Sequence, residues 1–213
     1  MYFNLSELDG RRTYKLMTST VVPRPIAWVV SQDAGGRLNA APFSFFGLMS
    51  GDPPLLCIGV GARDGKAKDT GANLRNGGEF VCNLVSCELL EAMNVTAIEF
   101  GPEVNELEAA QLQTMASVHV APPRIAIAPV SFECRVTQTI EFAPERWLII
   151  AVPLAAHIRD DAVIDKDSCY IDSNVLDLAG RMRGGKGGGY SSQRHLIELP
   201  TITEEQWRAG RGG

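Results

Sequence analysis

The chain has 213 residues, of which 45% are hydrophobic and 21% charged, and 20 Lys and Arg face 25 Asp and Glu for a formal net charge of −5. This length suits a single domain over residues 1–213. The acidic balance argues against a protein whose main task is binding nucleic acid or an anionic membrane. There is no apolar run of membrane-spanning length and no secretory signal, so we expect a cytoplasmic protein without a membrane partner.

Cysteine and histidine usage sets further limits. Five cysteines without a C-x-x-C spacing indicate buried free thiols in a reducing compartment rather than a disulfide framework. The three histidines lie far apart, so no metal site is predicted. His157 ends a strand and is either structural, the commoner case, or in contact with a ligand. No Ser-His-Asp or Cys-His constellation is visible, and no catalytic side chain is assigned.

The first third of the chain reads as short strands. Residues 1–22 form an N-terminal segment with a short helix near its start. A hairpin follows, with strands at Ile26–Ser31 and Leu38–Phe45 around a positive-φ turn at Asp33–Gly36. Because a fully paired central strand rejects proline, we expect the returning strand to be bulged around Pro42.

A strand and two helices are predicted next. Leu55–Gly61 is strand-like. Thr70 is the expected N-cap of a short helix over Gly71–Asn76. After a further strand at Glu79–Val85, Ser86 begins an amphipathic helix that runs to about Ala97.

The second half alternates between readable strands and polar stretches. Residues 99–116 are mixed and acidic, and we read them as an unplaced insert with one helical turn. Polar and apolar residues alternate from Val130 to Ile140, which predicts a half-buried strand paired with Trp147–His157.

The C-terminal part contains a glycine-dominated loop at Gly184–Gly189 and a predicted last strand at His195–Leu199. A capping box at Thr203–Gln206 begins a short helix, and residues 203–213 form this helix and a frayed tail. Short, mostly hairpin-joined strands predict a mainly β fold, an antiparallel barrel with peripheral helices. No G-x-G-x-x-G follows a strand, so the chain has no Rossmann signature.

Two stretches carry candidate binding chemistry. Lys68-Asp69-Thr70-x-x-Asn73 opens a helix beside other cations, which suits a terminal phosphate. An ordinary capped surface helix with solvated lysines is the commoner outcome for such a stretch alone. Asn39–Phe46 combines small residues, a proline and aromatics, which suits a flat isoalloxazine ring. A bulged strand whose phenylalanines fill the core is equally consistent with that stretch.

Three further features stay open on local grounds. Arg24 binds either an anion or, more commonly, a surface carboxylate. The Gly184–Gly189 loop with Lys186 resembles a phosphate loop only in composition, and a flexible lid or linker fits it better. Tyr190 stacks on a planar ligand or simply packs.

Five motifs in register resemble the flavin reductase-like family of FMN-binding split barrels. They are R-P-I-A-W-V-V-S at 24–31, G-x-x-N-A-A-P-F-S-F-F at 36–46, S-G-D-P-P at 50–54, K-D-T-x-x-N at 68–73 and E-F-V-C-N-L-V at 79–85. The resemblance implies a six-stranded antiparallel Greek-key split barrel that forms a homodimer with FMN near the interface. Weaker similarity continues through 156–164 and 180–190.

The resemblance also implies an activity. The expected function is an NAD(P)H-dependent oxidoreductase that transfers hydride to the flavin N5, with FMN tightly bound or exchangeable. The alternatives are a non-catalytic FMN-binding or electron-transfer protein and a reductase that serves a separate monooxygenase. The residues expected to contact the cofactor are Arg24, Pro25, Ile26, Ala27, Asn39, Ala41, Pro42, Phe43, Ser44, Ser50, Lys68, Asp69, Thr70, Asn73 and Tyr190.

Overall fold

The computed structural model describes residues 1–101, 103–184 and 188–209. Its strands are β1 (Ala27–Gln32), β2 (Leu38–Phe43), β3 (Phe46–Gly51), β4 (Pro54–Val60), β5 (Ala62–Arg63), β6 (Lys66–Ala67), β7 (Glu79–Leu84), β8 (Thr114–Met115), β9 (Arg124–Ile125), β10 (Val130–Ala143), β11 (Arg146–Ile158), β12 (Val163–Asp165), β13 (Tyr170–Ile171), β14 (Ala179–Arg183) and β15 (Gly189–Ser192). Its α-helices are α1 (Gly10–Thr20), α2 (Asp69–Leu74), α3 (Leu90–Val95), α4 (Glu106–Ala109), α5 (Ser173–Leu176) and α6 (Glu204–Ala209), and 3₁₀ turns lie at Leu5–Glu7, Cys87–Leu89 and Asp160–Ala162. None of the described helices is both long and apolar enough to cross a membrane.

Seven strands form one antiparallel sheet in the order β2-β1-β7-β10-β11-β4-β3. Its outermost strands, β2 and β3, are consecutive in the chain and joined only by Ser44 and Phe45. The sheet must therefore curl until its two ends meet, and the Gly59 N–H of β4 donates to the Phe45 carbonyl at 2.7 Å across this junction. The pairings of β1 with β7 and of β4 with β11 are the crossovers of a Greek-key order. The predicted mainly β barrel is confirmed, with seven strands in the sheet instead of six.

The interior of the barrel is apolar and receives side chains from every part of the sheet. Val29, Ile58, Phe80, Cys134 and Ile149 belong to one buried cluster, each exposed by no more than 1%. Alternate residues of each strand point inward, so apolar residues that recur at every second position in the sequence form one continuous core. Burial raises the pKa of Cys134 to about 12, and the thiol stays protonated. The five cysteines are free thiols.

Helices cover the outer face of β1. Trp28 and Val30 point away from the barrel interior and pack in a second cluster that includes Met93 of α3. The buried Trp28 Nε1–H donates to Thr96 Oγ1 at 2.9 Å. This contact fixes the chain that follows α3 beside β1 and β2.

The expected hairpin of β1 and β2 and the expected pairing of β10 with β11 are confirmed. Gly36 adopts φ +81° between β1 and β2, where the Asp33 side chain accepts from the Gly35 N–H at 2.8 Å. Glu145, with φ +57°, lies in the tight turn that connects β10 to β11. The C-terminal capping box is also present, because the Gln206 N–H donates to Thr203 Oγ1 at 3.2 Å.

Pro42 does not interrupt its strand, so the expected bulge is wrong. The pairing of β1 with β2 runs without a register shift from Ala27 opposite Phe43 to Gln32 opposite Leu38. β2 is an outermost strand, and the Ala40 N–H points away from β1 to a carboxylate. Pro42 lies two residues further on and faces the same free edge, so its missing N–H costs no ladder hydrogen bond.

Three further element predictions need correction. Residues 1–22 contain the expected short helix at Leu5–Glu7, but also an eleven-residue helix, α1, with Asp9 as its N-cap, which was not expected. The N-cap of α2 is Lys68 rather than Thr70. The expected strand at His195–Leu199 has no regular structure, and β15 precedes it. Residues 185–187 of the predicted glycine loop, residue 102 of the insert and residues 210–213 of the tail lie outside the described residues.

Candidate functional site

A groove runs along β2 and consists of two adjoining cavities of about 190 and 150 Å³. The cavities share Pro42, Phe43 and Ala97. The first is otherwise lined by Tyr14, Ile26, Ser44, Met93, Asn94, Arg181 and Tyr190. The second is otherwise lined by Asn39, Ala41, Arg63, Lys68, Asp69, Thr70, Thr96, Ile98, Glu99 and Glu106. Together they reach the lower end of the range of about 300–1,000 Å³ that is usual for small-ligand sites.

The first cavity is the aromatic end of the groove. Tyr14 comes from α1 and Tyr190 from β15, and both rings stand near Pro42 and Phe43 of β2. The Arg181 guanidinium lies 4.7 Å from the centroid of the Tyr190 ring, a cation–π distance that orients the ring. The aromatic end can therefore receive a flat, partly apolar ring.

The second cavity is the cationic end of the groove. Arg63 and Lys68 both line it, and Lys68 forms no ion pair with any described residue. Burial lowers the pKa of Lys68, the positive charge of Arg63 lowers it further, and Glu99 opposes both effects. Two adjacent cations that destabilise each other favour a bound anion, because an anion relieves their repulsion.

Hydrogen bonds fix the floor of the cationic end. Asn39 Nδ2 donates to Thr70 Oγ1 at 2.8 Å, and both residues are buried. This bond holds α2 against β2 and places Lys68 at the mouth of the groove. The predicted helix start therefore does adjoin the predicted ring-binding strand, although α2 has only six residues.

The acidic insert forms one wall of the cationic end. Asn105 caps α4 by accepting from the Leu107 N–H at 3.0 Å, and Leu107 is buried. Glu106 Oε2 accepts from the Ala40 N–H at 3.1 Å. Burial raises the pKa of Glu106, and the N–H donors, that of Ala40 among them, offset part of the rise. The stretch that could not be placed from sequence thus lies directly on the free edge of β2.

Ten of the fifteen predicted cofactor contacts line the groove. They are Ile26, Asn39, Ala41, Pro42, Phe43, Ser44, Lys68, Asp69, Thr70 and Tyr190. The other five lie elsewhere. Pro25 is exposed and Ala27 points into the barrel core, Ser50 lies in β3, and Asn73 donates to Ser31 Oγ at 3.1 Å.

Arg24 makes structural contacts at the end of α1 and no ion pair with a carboxylate of the described residues. Its Nη1 donates to the carbonyl oxygens of Thr18 at 2.7 Å and Val21 at 2.9 Å. Burial is the main reason that the pKa of Arg24 is lowered. The guanidinium thus caps the C-terminal end of α1 and holds this helix, with Tyr14, against the barrel.

Ten groove residues were absent from the predicted set, and the charged and aromatic ones among them are Tyr14, Arg63, Glu99, Glu106 and Arg181. The Asp9 N-cap was the available signal for α1, and hence for Tyr14 one turn later. The two glutamates and Arg181 carry no local signal, because only the tertiary fold brings them to β2.

His157 belongs to a structural network outside the groove. Its Nε2 lies 2.6 Å from Oε1 of the fully buried Glu133. The same carboxylate accepts from the Val118 N–H at 2.8 Å and the His119 N–H at 2.6 Å. His157 and Glu133 together hold the loop that precedes β9, which is the structural alternative considered from sequence. Among the described residues, no group of three or more His, Cys, Asp or Glu could hold a metal ion.

The fold and groove define a class: an antiparallel barrel with a groove along its outermost strand that is lined by aromatic residues at one end and includes Arg63 and Lys68 at the other. A protein-family model described as "Flavin reductase like domain" matches residues 17–178. The chain belongs to the flavin reductase-like family, as its motifs indicated. Family membership supports a flavin cofactor and a flavin-dependent oxidoreductase. A protein of Deinococcus radiodurans is 41% identical over 100% of this chain and 96% of its own length.

Two solved structures share the architecture closely. Nitrilotriacetate monooxygenase component B from Bacillus cereus is similar with a TM-score of 0.86 and 29% identity, over 93% of this chain and 98% of that one. Pseudomonas fluorescens 2-nitrobenzoate 2-nitroreductase is similar with a TM-score of 0.86 and 30% identity, over 96% of this chain and 98% of the other.

Proposed function

We propose that the protein is an FMN-dependent NAD(P)H oxidoreductase. The observation that carries the proposal is the groove along β2, which is aromatic at the Tyr190 end and cationic at the Arg63 and Lys68 end. This polarity fits the isoalloxazine ring of FMN at the first end and its phosphate at the second. A phosphate would also give Lys68, which forms no ion pair with any described residue, an anionic partner.

Bound flavin supplies the redox chemistry, since it accepts a hydride at N5. The chain has to bind, orient and shield the ring. Pro42 and Phe43 lie between the two ends of the groove, so they fix the position of the ring relative to the phosphate. Tyr190, with Arg181 against it, and Tyr14 would form the aromatic walls on either side of the ring. No side-chain nucleophile is required, in keeping with the lack of a catalytic constellation in the sequence.

The acceptor that takes electrons from the flavin is a separate question. The Bacillus cereus protein is named as a monooxygenase component, which favours a reductase that serves a separate monooxygenase as the second candidate. The Pseudomonas fluorescens protein is named as a nitroreductase, so a nitroaromatic acceptor also belongs in the assay. A non-catalytic FMN carrier is the third candidate.

We further propose a homodimer with FMN near its interface. An apolar cavity of about 570 Å³, lined by α1, Val21, Arg24 and Phe45, shares Tyr14 with the groove. Leu48 and Met49 of the neighbouring β3 are 67% and 60% exposed. A contiguous apolar surface of this kind favours a protein partner, and a second copy would cover both the surface and the groove. We expect this dimer to work in the cytoplasm with NADH or NADPH.

An absorbance spectrum of the purified protein, taken before and after anaerobic addition of NADH or NADPH, tests the activity. Flavin bands that bleach with one nucleotide support the reductase. Bands that persist with both nucleotides identify a carrier, and failure to bind added FMN refutes the site.

Sedimentation velocity tests the dimer, with Leu48→Glu as the interface variant. We expect the wild-type chain to sediment as a dimer and Leu48→Glu to shift it to monomer with weaker FMN binding. A wild-type monomer that is saturated with FMN would rule out an interface site.

A further inference from the structure

One carboxylate of the acidic insert borders the cationic end of the groove. Glu99 Oε1 lies 3.3 Å from Arg63 Nε, and the two side chains are 67% and 35% exposed. Both residues line the cavity that also contains Lys68. The cations proposed to receive the phosphate therefore already have a negative charge at their rim.

The contact between Glu99 and Arg63 is electrostatic and poorly directed. The Nε atom of Arg63 is buried and makes no hydrogen bond, although the carboxylate stands within ion-pair distance. An exposed pair of this kind is weak. The planar guanidinium fork matches phosphate oxygens as it matches carboxylate oxygens, so a phosphate can replace the carboxylate.

The backbone on either side of Glu99 is held in place. The Ile98 N–H donates to the Val95 carbonyl at 3.0 Å at the end of α3. On the other side, Glu106 of α4 accepts from the Ala40 N–H of β2. The Glu99 side chain can therefore swing into solvent while its backbone keeps the charge close to the groove.

We propose that Glu99 is an internal counter-ion of the phosphate subsite and sets the preference of the protein between phosphorylated and unphosphorylated flavins. In the free protein it neutralises Arg63, and the phosphate of FMN displaces it. This inference rests on the proposed function. Glu99 also opposes the lowering of the Lys68 pKa by burial and by Arg63.

The test compares Glu99→Gln with wild type in fluorescence titrations of FMN and riboflavin. Loss of a competing, exposed carboxylate should tighten FMN binding by about three- to fivefold and leave riboflavin within about twofold. The gain should shrink in about 0.5 M NaCl, because salt screens exposed charges. Glu91→Gln is the matched control, since it removes an exposed carboxylate of α3 that does not line the groove.

Each outcome has a distinct meaning. An unchanged ratio of FMN to riboflavin affinity, or an equal gain in Glu91→Gln, would overturn the counter-ion role. Weaker FMN binding would also overturn it and would show that Glu99 positions Arg63 for the phosphate. If neither flavin binds to the wild-type protein, the proposed function itself fails and the inference fails with it.

Discussion

Replacement of Lys68 by glutamine probes the cationic end of the groove directly. Glutamine keeps much of the length and one N–H donor but removes the charge. A hydrogen bond to a charged group contributes about 1.5–3 kcal/mol. Lys68 is partly exposed and Arg63 remains beside it, so we expect a loss of about 1–2 kcal/mol, which is about 5- to 30-fold in FMN affinity.

The assay is quenching of flavin fluorescence, with FMN and riboflavin titrated in parallel. Riboflavin lacks the phosphate, and its affinity should change by no more than about twofold. Lys66→Gln is the matched control, because Lys66 is exposed, lies two residues away and does not line the groove. The reasoning is refuted if Lys68→Gln binds FMN as wild type does, or if both flavins weaken equally, which would indicate a disturbed fold.

Three further variants test other parts of the structure. Thr70→Val leaves buried Asn39 without its hydrogen-bond partner, which should cost about 1–3 kcal/mol and lower Tm by about 2–10 °C; an unchanged Tm in calorimetry would contradict this. Burial opposes ionisation of Glu133, but its hydrogen bonds outweigh burial and lower its pKa from 4.5 to about 2. Its stabilisation, up to about 3 kcal/mol, is therefore present above the unfolded pKa and lost as the pH falls towards 2. In urea unfolding between about pH 5 and 3, Glu133→Gln should show a flatter pH dependence than wild type, and parallel curves would refute the assignment. Pro42→Ala removes no ladder bond, so we expect Tm to change by less than about 3 °C, and a larger fall would mean that proline itself holds the edge.

Local chemistry made much of the fold predictable from the sequence. The Asp33–Gly36 turn is determined by local interactions, because the Asp33 side-chain hydrogen bond and the positive φ of Gly36 involve residues that are close in sequence. Strand periodicity likewise identified β10 and β11. The motifs located β2 and the start of α2, and the Asn39–Thr70 bond then joins them in the structure.

What the sequence did not predict depends on contacts between distant residues. Glu106 and Ala40 are 66 positions apart, and no local pattern connects the insert with β2. α1 was missed although Asp9 offers an N-cap for it, and its apolar residues Tyr14 and Met17 remain about half exposed. Pro42 was misread because the sequence does not reveal which strand is outermost.

The hydrogen bond from Ala40 to Glu106 also bears on aggregation. β2 ends the sheet, and an outermost strand with free N–H groups can recruit a strand from another molecule. Here a carboxylate from α4 already occupies one of those groups. An incoming strand would have to displace this carboxylate and overcome its charge. The acidic insert therefore protects the barrel from edge-to-edge association. A variant from which the insert is deleted would be less soluble than the wild-type protein.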